Sequence, residues 1–130
     1  MASSAFAVVA GVGPGTGAAI ARRFASAYPV ACLARSPSKY EPIVQEIRDN
    51  GGNAIGISAD VTDEKSVKAA FDKIREEYKG GTCAAAIFNA SGPASRGPLL
   101  ELSVEDYTAT WNITWCGSRD HVEQLVEDRF

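Results

Sequence analysis

The strongest chemical signal in the chain is Gly11-Val12-Gly13-Pro14-Gly15-Thr16-Gly17. Glycines at this density allow a tight turn and let an anion approach the backbone closely. Where such a run opens a helix, the helix N-terminus receives a pyrophosphate. No Gly-Lys-Ser/Thr follows, which disfavours a nucleoside triphosphate loop. The plain alternative is a glycine-rich turn with no ligand. A second position bears on which dinucleotide is bound. An NAD-type site carries an acid about 20 residues after the glycines, for the ribose 2′-hydroxyl. No acid lies between Val30 and Ser38, and Arg35 stands there instead. A guanidinium suits a 2′-phosphate, which favours NADP over NAD. Lys39 is a second cation nearby, whose direction the sequence leaves open. The alternative for Arg35 is a solvated surface side chain.

These residues need strands and helices to place them. Ala5–Ala10 is a short apolar run ending at glycine, the length of a strand buried on both faces. Residues 15–28 change to a helical period through Ile20, Phe24 and Ala27, and Pro29 ends the helix. Val30–Ala34 reads as a second strand. A helix follows with Ile43, Val44 and Ile47 on one side. The pair Ser38 and Glu41 has capping-box spacing at its start, and Asn50-Gly51-Gly52 stops it. Ala54–Ser58 reads as a third strand. Val67, Ala70, Phe71, Ile74 and Tyr78 mark an amphipathic helix closed by Gly80-Gly81. Residues 84–88 read as a fourth strand, and 90–98, rich in Gly and Pro, as the loop leaving it. Ser103 and Asp106 start another helix with Val104, Tyr107 and Trp111 on its apolar face. Beyond Asn112 the pattern is irregular. Gly117 is expected to break it, and Val122, Leu125 and Val126 to form one more short amphipathic helix. Strands alternating with helices predict an α/β, Rossmann-like, doubly wound parallel sheet of about four strands with helices on both faces.

At roughly 100–200 residues per domain, 130 residues make a single domain. Thirteen Lys+Arg against sixteen Asp+Glu give a net charge of −3, which offers no electrostatic footprint for nucleic acid or an anionic membrane. With 45% hydrophobic and 22% charged residues, the composition is that of a soluble globular protein. Cys32, Cys83 and Cys116 are odd in number and lack CxxC spacing, as in a reducing, cytoplasmic compartment. They are expected to act as small apolar residues. One histidine, His121, cannot build a His/Cys metal cluster, so no metal is expected. No run approaches a membrane span. The start, Met1-Ala2-Ser3-Ser4, lacks a basic leader region, and the end, Asp128-Arg129-Phe130, is no retention or peroxisomal address.

With these motifs in hand, the chain resembles the N-terminal half of the short-chain dehydrogenase/reductase family over residues 5–112, with a divergent segment at 113–130. Gly11, Gly15 and Gly17 match the family's Gly-x-x-x-Gly-x-Gly motif, Ala10 replaces its preceding Thr, and Thr16 lies within the motif. Asp60-Val61 matches the family's acid-aliphatic pair that contacts adenine. Asn89-Ala90-Ser91-Gly92 resembles its Asn-Asn-Ala-Gly segment. Asn112 falls where the family carries a helix Asn that supports a proton-relay water. The resemblance implies hydride transfer between NADP(H) and a carbonyl or alcohol carbon. Each position also has a structural alternative: a turn or N-cap for Asp60, a turn for Asn89, and an exposed helical site for Asn112. Trp111 and Trp115 are expected to pack, and His121 to be solvated.

The resemblance also defines what is missing. The family's proton is moved by a Tyr with a Lys four residues on, because a phenol with a pKa near 10 needs a neighbouring cation to act near neutrality. Four residues after Tyr28, Tyr40, Tyr78 and Tyr107 stand Cys32, Val44, Thr82 and Trp111, so no Tyr-x-x-x-Lys occurs. The expectation is a truncated form that keeps the NADP half-site without the catalytic machinery. The other readings are a short non-catalytic nucleotide- or partner-binding protein, and a product that does not fold alone because strand 84–88 is an open apolar edge. The implied partners are a dinucleotide and, as one option, further copies in a homo-oligomer.

Overall fold

The computed structural model describes residues 5–92 and 96–127. The readings of residues 1–4, Pro93 and residues 128–130, and of the Val126 side chain, lie outside the described residues. Four strands, β1 (Ala5–Ala10), β2 (Val30–Ala34), β3 (Ala54–Ser58) and β4 (Thr82–Phe88), form one parallel sheet in the order β3-β2-β1-β4. The helices are α1 (Thr16–Ala25), α2 (Pro37–Asp49), α3 (Glu64–Glu77), α4 (Val104–Trp111) and α5 (Gly117–Glu127). A single 3₁₀ turn, Leu99–Glu101, precedes α4, and a π-turn, Asn112–Cys116, joins α4 to α5.

The pleat explains the two cores. On one face Ala7, Val9, Val30 and Cys32 meet Ala18 and Ala21 of α1 and Ile43, Val44 and Ile47 of α2. On the other face Phe6, Val8, Ala31 and Leu33 meet Val67, Phe71 and Ile74 of α3, with Leu125 of α5 against them. This is the expected doubly wound α/β sheet. Central strands buried on both faces must be apolar at every position, as β1 and β2 are. Among the described residues β4 pairs only with β1 and forms an edge.

Boundaries differ where backbone chemistry outweighs side-chain pattern. The first helix ends at Ala25, and the N–H groups of Ala27 and Tyr28 both donate to the Phe24 carbonyl. β4 starts two residues earlier than expected, at Thr82. α2 starts at Pro37, not at a Ser38–Glu41 box. Ser36 is its N-cap, and Pro37 takes the first helical position, where its missing N–H costs nothing. Its C-terminus ends as expected: Gly51 has φ +83°, and Gly52 and Gly51 donate to the carbonyls of Ile47 and Arg48 at 2.9 and 3.0 Å. Ser103 and Asp106 start α4 as expected, and there they form a capping box.

The last third departs most. Gly117 does not break the helix: it has helical dihedrals, and its N–H donates to the Asn112 carbonyl in an i→i+5 bond. It packs instead, since a Cβ there would lie 2.8 Å from the Val61 carbonyl oxygen. The inward face of α5 is Gly117, Asp120, His121 and Gln124, while Val122 is exposed. His121, expected in solvent, is 2% exposed, because the helical period turns it onto the rings of Phe71 and Phe88 at 5.1 and 5.7 Å. Trp111 and Trp115, expected to pack inward, are 57% and 62% exposed and stack on each other at 5.4 Å.

Candidate functional site

A cleft of about 370 Å³ opens outside the carboxyl ends of the strands. Open α/β sheets take ligands there, at the point where strand order reverses, here between β1 and β4. Its floor is Gly11, Val12, Gly13 and Pro14 after β1. Its walls are Arg35, Ser36 and Lys39 after β2, Ala59, Asp60 and Val61 after β3, Asn89, Ala90 and Ser91 after β4, and Ile113 of the π-turn. Its size falls in the range of small-molecule sites.

The glycines of the turn divide into two kinds. Gly11 has φ +90°, and a Cβ on it would lie 2.4 Å from the Ala90 nitrogen. A Cβ on Gly17 would lie 2.3 Å from the Gly11 carbonyl oxygen, so the fold itself demands both residues. Gly13 and Gly15 face open space within 4 Å. They leave a cradle that side chains would fill. Gly15 is the N-cap of α1 and provides no side-chain cap, so the positive end of the helix faces outward uncapped by any side chain. The cradle, the helix end and the rim cation Arg35 together fit a dinucleotide. Gly15, Thr16 and Gly17 form the helix start beside the cleft and do not line it.

Asn89 ties the turn in place. Its N–H donates to the Ala10 carbonyl at 2.8 Å, and its Nδ2 donates to the Gly11 carbonyl at 3.1 Å across 78 residues of sequence. Gly92 lies outside the cleft lining and lets α4 come close, since a Cβ would stand 2.6 Å from Thr110 Cα. Asp60 makes a turn: its Oδ1 accepts from the Thr62 hydroxyl at 2.6 Å and the Thr62 N–H at 2.9 Å. Those two bonds hold its carboxyl below the usual range, against desolvation, with the charge of Arg35 adding to the effect. The N-cap of α3 is Asp63, whose side chain accepts from the Lys65 N–H at 3.0 Å. Asp60 thus fills the turn alternative and also lines the cleft, as Val61 does.

Asn112 is not in the cleft. It is exposed at the start of the π-turn, with the Cys116 Sγ 3.9 Å from its side-chain oxygen. No tyrosine lines the cleft among the described residues. Tyr40 bonds to the Ser58 hydroxyl at 3.1 Å, and Tyr78 stacks on Phe6 at 4.9 Å with its hydroxyl pushed up by burial. Cys32 is buried in the core, its thiol pushed up to about 12 by desolvation. Sequence reasoning missed Ser36 and Ile113. Adjacency to Arg35 could have found Ser36. Ile113 enters the wall through the π-turn, which no regular period encodes. No helix among the described residues is long and apolar enough to cross a membrane.

A parallel βαβ sheet with a glycine-rich turn at its switch point is a dinucleotide-binding architecture. The chain belongs to the short chain dehydrogenase family, whose model matches residues 5–127, and this family uses NAD(P) cofactors. It is 37% identical over 113 residues to elsinochrome reductase 1 of Elsinoe fawcettii, covering 85% of this chain and 41% of that protein. It is 32% identical over 108 residues to a short chain dehydrogenase of Pseudocercospora fijiensis, covering 82% and 34%. A dehydrogenase/reductase from Sinorhizobium meliloti 1021 superposes with a TM-score of 0.87 at 26% identity, over 96% of this chain and 49% of that one. The chain therefore spans about two fifths of the curated relatives it matches and half of that structure.

Proposed function

We propose that this chain is the NADP-binding half of a short-chain oxidoreductase whose reaction is hydride transfer between NADP(H) and a carbonyl or alcohol carbon, in a cytoplasmic setting. The carrying observation is Arg35 on the cleft wall beside Ser36 and Lys39, where no acid stands. The dinucleotide, when bound, supplies the hydride chemistry. The residues of the chain supply binding and orientation. The α1 N-terminus and the space before Gly13 and Gly15 take the pyrophosphate. Arg35, with Ser36 and Lys39, takes the 2′-phosphate. Asp60, Val61 and Ala90 border the adenine end, and Asn89 holds the turn.

The chain carries no Tyr-x-x-x-Lys, and the buried His121 does not line the cleft. We therefore read the chain as binding cofactor without turning over substrate by itself. A second reading, a partner-binding protein without catalysis, is favoured by the open β4 edge and the exposed Trp111–Trp115 pair.

The test is calorimetric titration with NADPH and NADH. A charged hydrogen-bonding contact contributes about 1.5–3 kcal/mol, so NADPH should bind about ten- to a hundredfold tighter, and Arg35→Asp should reverse the order. Equal affinities in the parent would refute the NADP reading. NADPH oxidation with aldehydes, ketones and quinones should stay at background, and robust turnover would overturn the non-catalytic part.

A further inference from the structure

The π-turn and Gly117 have no part in the proposal above, yet the turn lends a residue to the cleft and Gly117 lies close to another. A regular helix would continue α4 with i→i+4 bonds. Here the Gly117 N–H reaches back five residues to the Asn112 carbonyl, and the extra residue widens one turn. π-turns of this kind are inserted into α-helices and occur often at functional sites. The insertion has two visible consequences. Ile113 joins the cleft wall. Gly117, buried at the start of α5, lies close to the backbone and side chain of Val61, which also lines the cleft. A Cβ on Gly117 would stand 2.8 Å from the Val61 carbonyl oxygen and 3.1 Å from both Val61 Cβ and Cγ2. Contacts that short force something to shift, and a carbonyl oxygen cannot rotate away as the end of a long side chain can. The turn thus contributes Ile113 to the cleft, and Gly117, the first residue of α5 after it, leaves no room for a Cβ against Val61.

The far end of α5 resists displacement. His121 sits between Phe71 of α3 and Phe88 of β4, and Leu125 packs on the same core. Bulk added at Gly117 therefore pushes on Val61 more readily than it moves the helix. Val61 follows Asp60, whose side chain is fixed by Thr62 and whose N–H donates to the Ser66 hydroxyl at 2.9 Å.

We propose that Gly117 is a positioning residue for the cleft: acting through Val61, and together with the π-turn that carries Ile113, it sets the width of an apolar slot that takes the flat purine ring of the dinucleotide. This rests on the dinucleotide reading. The slot binds by shape and apolar contact, so its width is felt by any ligand carrying adenine and not by one lacking it.

The experiment compares the parent chain and Gly117→Ala by calorimetry with three probes: NADPH, adenosine 2′,5′-bisphosphate and nicotinamide mononucleotide. In Gly117→Ala both adenine-bearing probes should weaken about tenfold or more, and the mononucleotide should be unchanged. The amide NMR signals of Asp60, Val61 and Ile113 should move in the ligand-free variant. Adding Val61→Ala to Gly117→Ala removes one of the crowded atoms and should restore part of the adenosine bisphosphate affinity relative to Gly117→Ala alone. A parent that binds none of the probes defeats the dinucleotide reading and this inference with it. A parent that binds NADPH, with a folded Gly117→Ala that binds it equally well, defeats this inference alone, as does equal weakening of all three probes. If Gly117→Ala loses its far-UV dichroism, Ile113→Ala decides. A selective loss for the adenine-bearing probes supports the slot, and unchanged affinity overturns it.

Discussion

Replacing His121 with phenylalanine should remove most of the acid sensitivity of the fold between pH 7 and pH 5. His121 is the only histidine in the chain, so no other imidazole titrates in that window. It is buried against two phenylalanine rings, and its Nε2 has no hydrogen-bond partner. Burial disfavours the imidazolium and lowers its pKa from 6.5 to about 4. The sign follows from proton counting. Between those values the unfolded chain binds a proton that the folded chain refuses, so acid favours unfolding. At about 1.4 kcal/mol per pH unit, the full loss is about 3 kcal/mol, present above pH 6.5 and gone below about pH 4. About 2 kcal/mol of it falls between pH 7 and pH 5, a large part of the stability of a small domain. Phenylalanine keeps a ring edge toward Phe71 and Phe88 and removes a buried orphan nitrogen, which itself costs about 1–3 kcal/mol. The assay is urea unfolding followed at 222 nm at pH 7 and pH 5, in parent and variant. The parent should lose about 2 kcal/mol more than His121→Phe on acidification. Equal losses would refute the burial of a neutral imidazole and, with it, the placement of α5.

The two kinds of glycine in the turn should separate cleanly. Gly15→Val should keep a parent-like melting temperature and bind NADPH at least a hundredfold more weakly, whereas Gly17→Ala should lower the melting temperature by several degrees because its Cβ meets the Gly11 carbonyl. A Gly15→Val chain that binds as the parent does would reduce the loop to a turn. Under native conditions at pH 8, iodoacetamide should label Cys83 and Cys116 before Cys32, whose thiol is buried and pushed up to about 12. Peptide mass spectrometry reads the order, and early labelling of Cys32 would contradict its place in the core.

Much of the fold was legible because its causes are local. β1 and β2 are short, wholly apolar runs, which only a strand buried on both faces requires, and the glycine turn after β1 declares itself by composition. The ends of α2 were half legible: Gly51 marks the stop by its backbone conformation, while Pro37 moved the start by a preference that a search for a Ser–Glu pair overlooks. Arg35, Asp60 and Asn89 could be named from order along the chain. Their convergence in one cleft could not, because it depends on the parallel sheet bringing the ends of β1 to β4 together. The sequence allows Asn89 to be a ligand or a turn residue, and its bond to the Gly11 carbonyl exists only because β4 lies beside β1.

The chain after Asn112 shows the limit most clearly. Hydrophobic periodicity assigned α5 an apolar face through Val122, Leu125 and Val126; Leu125 does pack on the core, but Val122 is exposed and the buried positions are Gly117, Asp120, His121 and Gln124. An inserted π-turn rotates everything after it by one residue, and a one-residue rotation of a helix carries a side chain through about 100°. The strands, the glycine turn and the cation at the end of β2 can be read along the chain, since each follows from the chemistry of a few adjacent residues. Which face of α5 is buried, the shielding of His121 from water and the close approach of Gly117 to Val61 come from the folded chain alone, because they depend on a helix phase and a packing distance set by residues far away in the sequence.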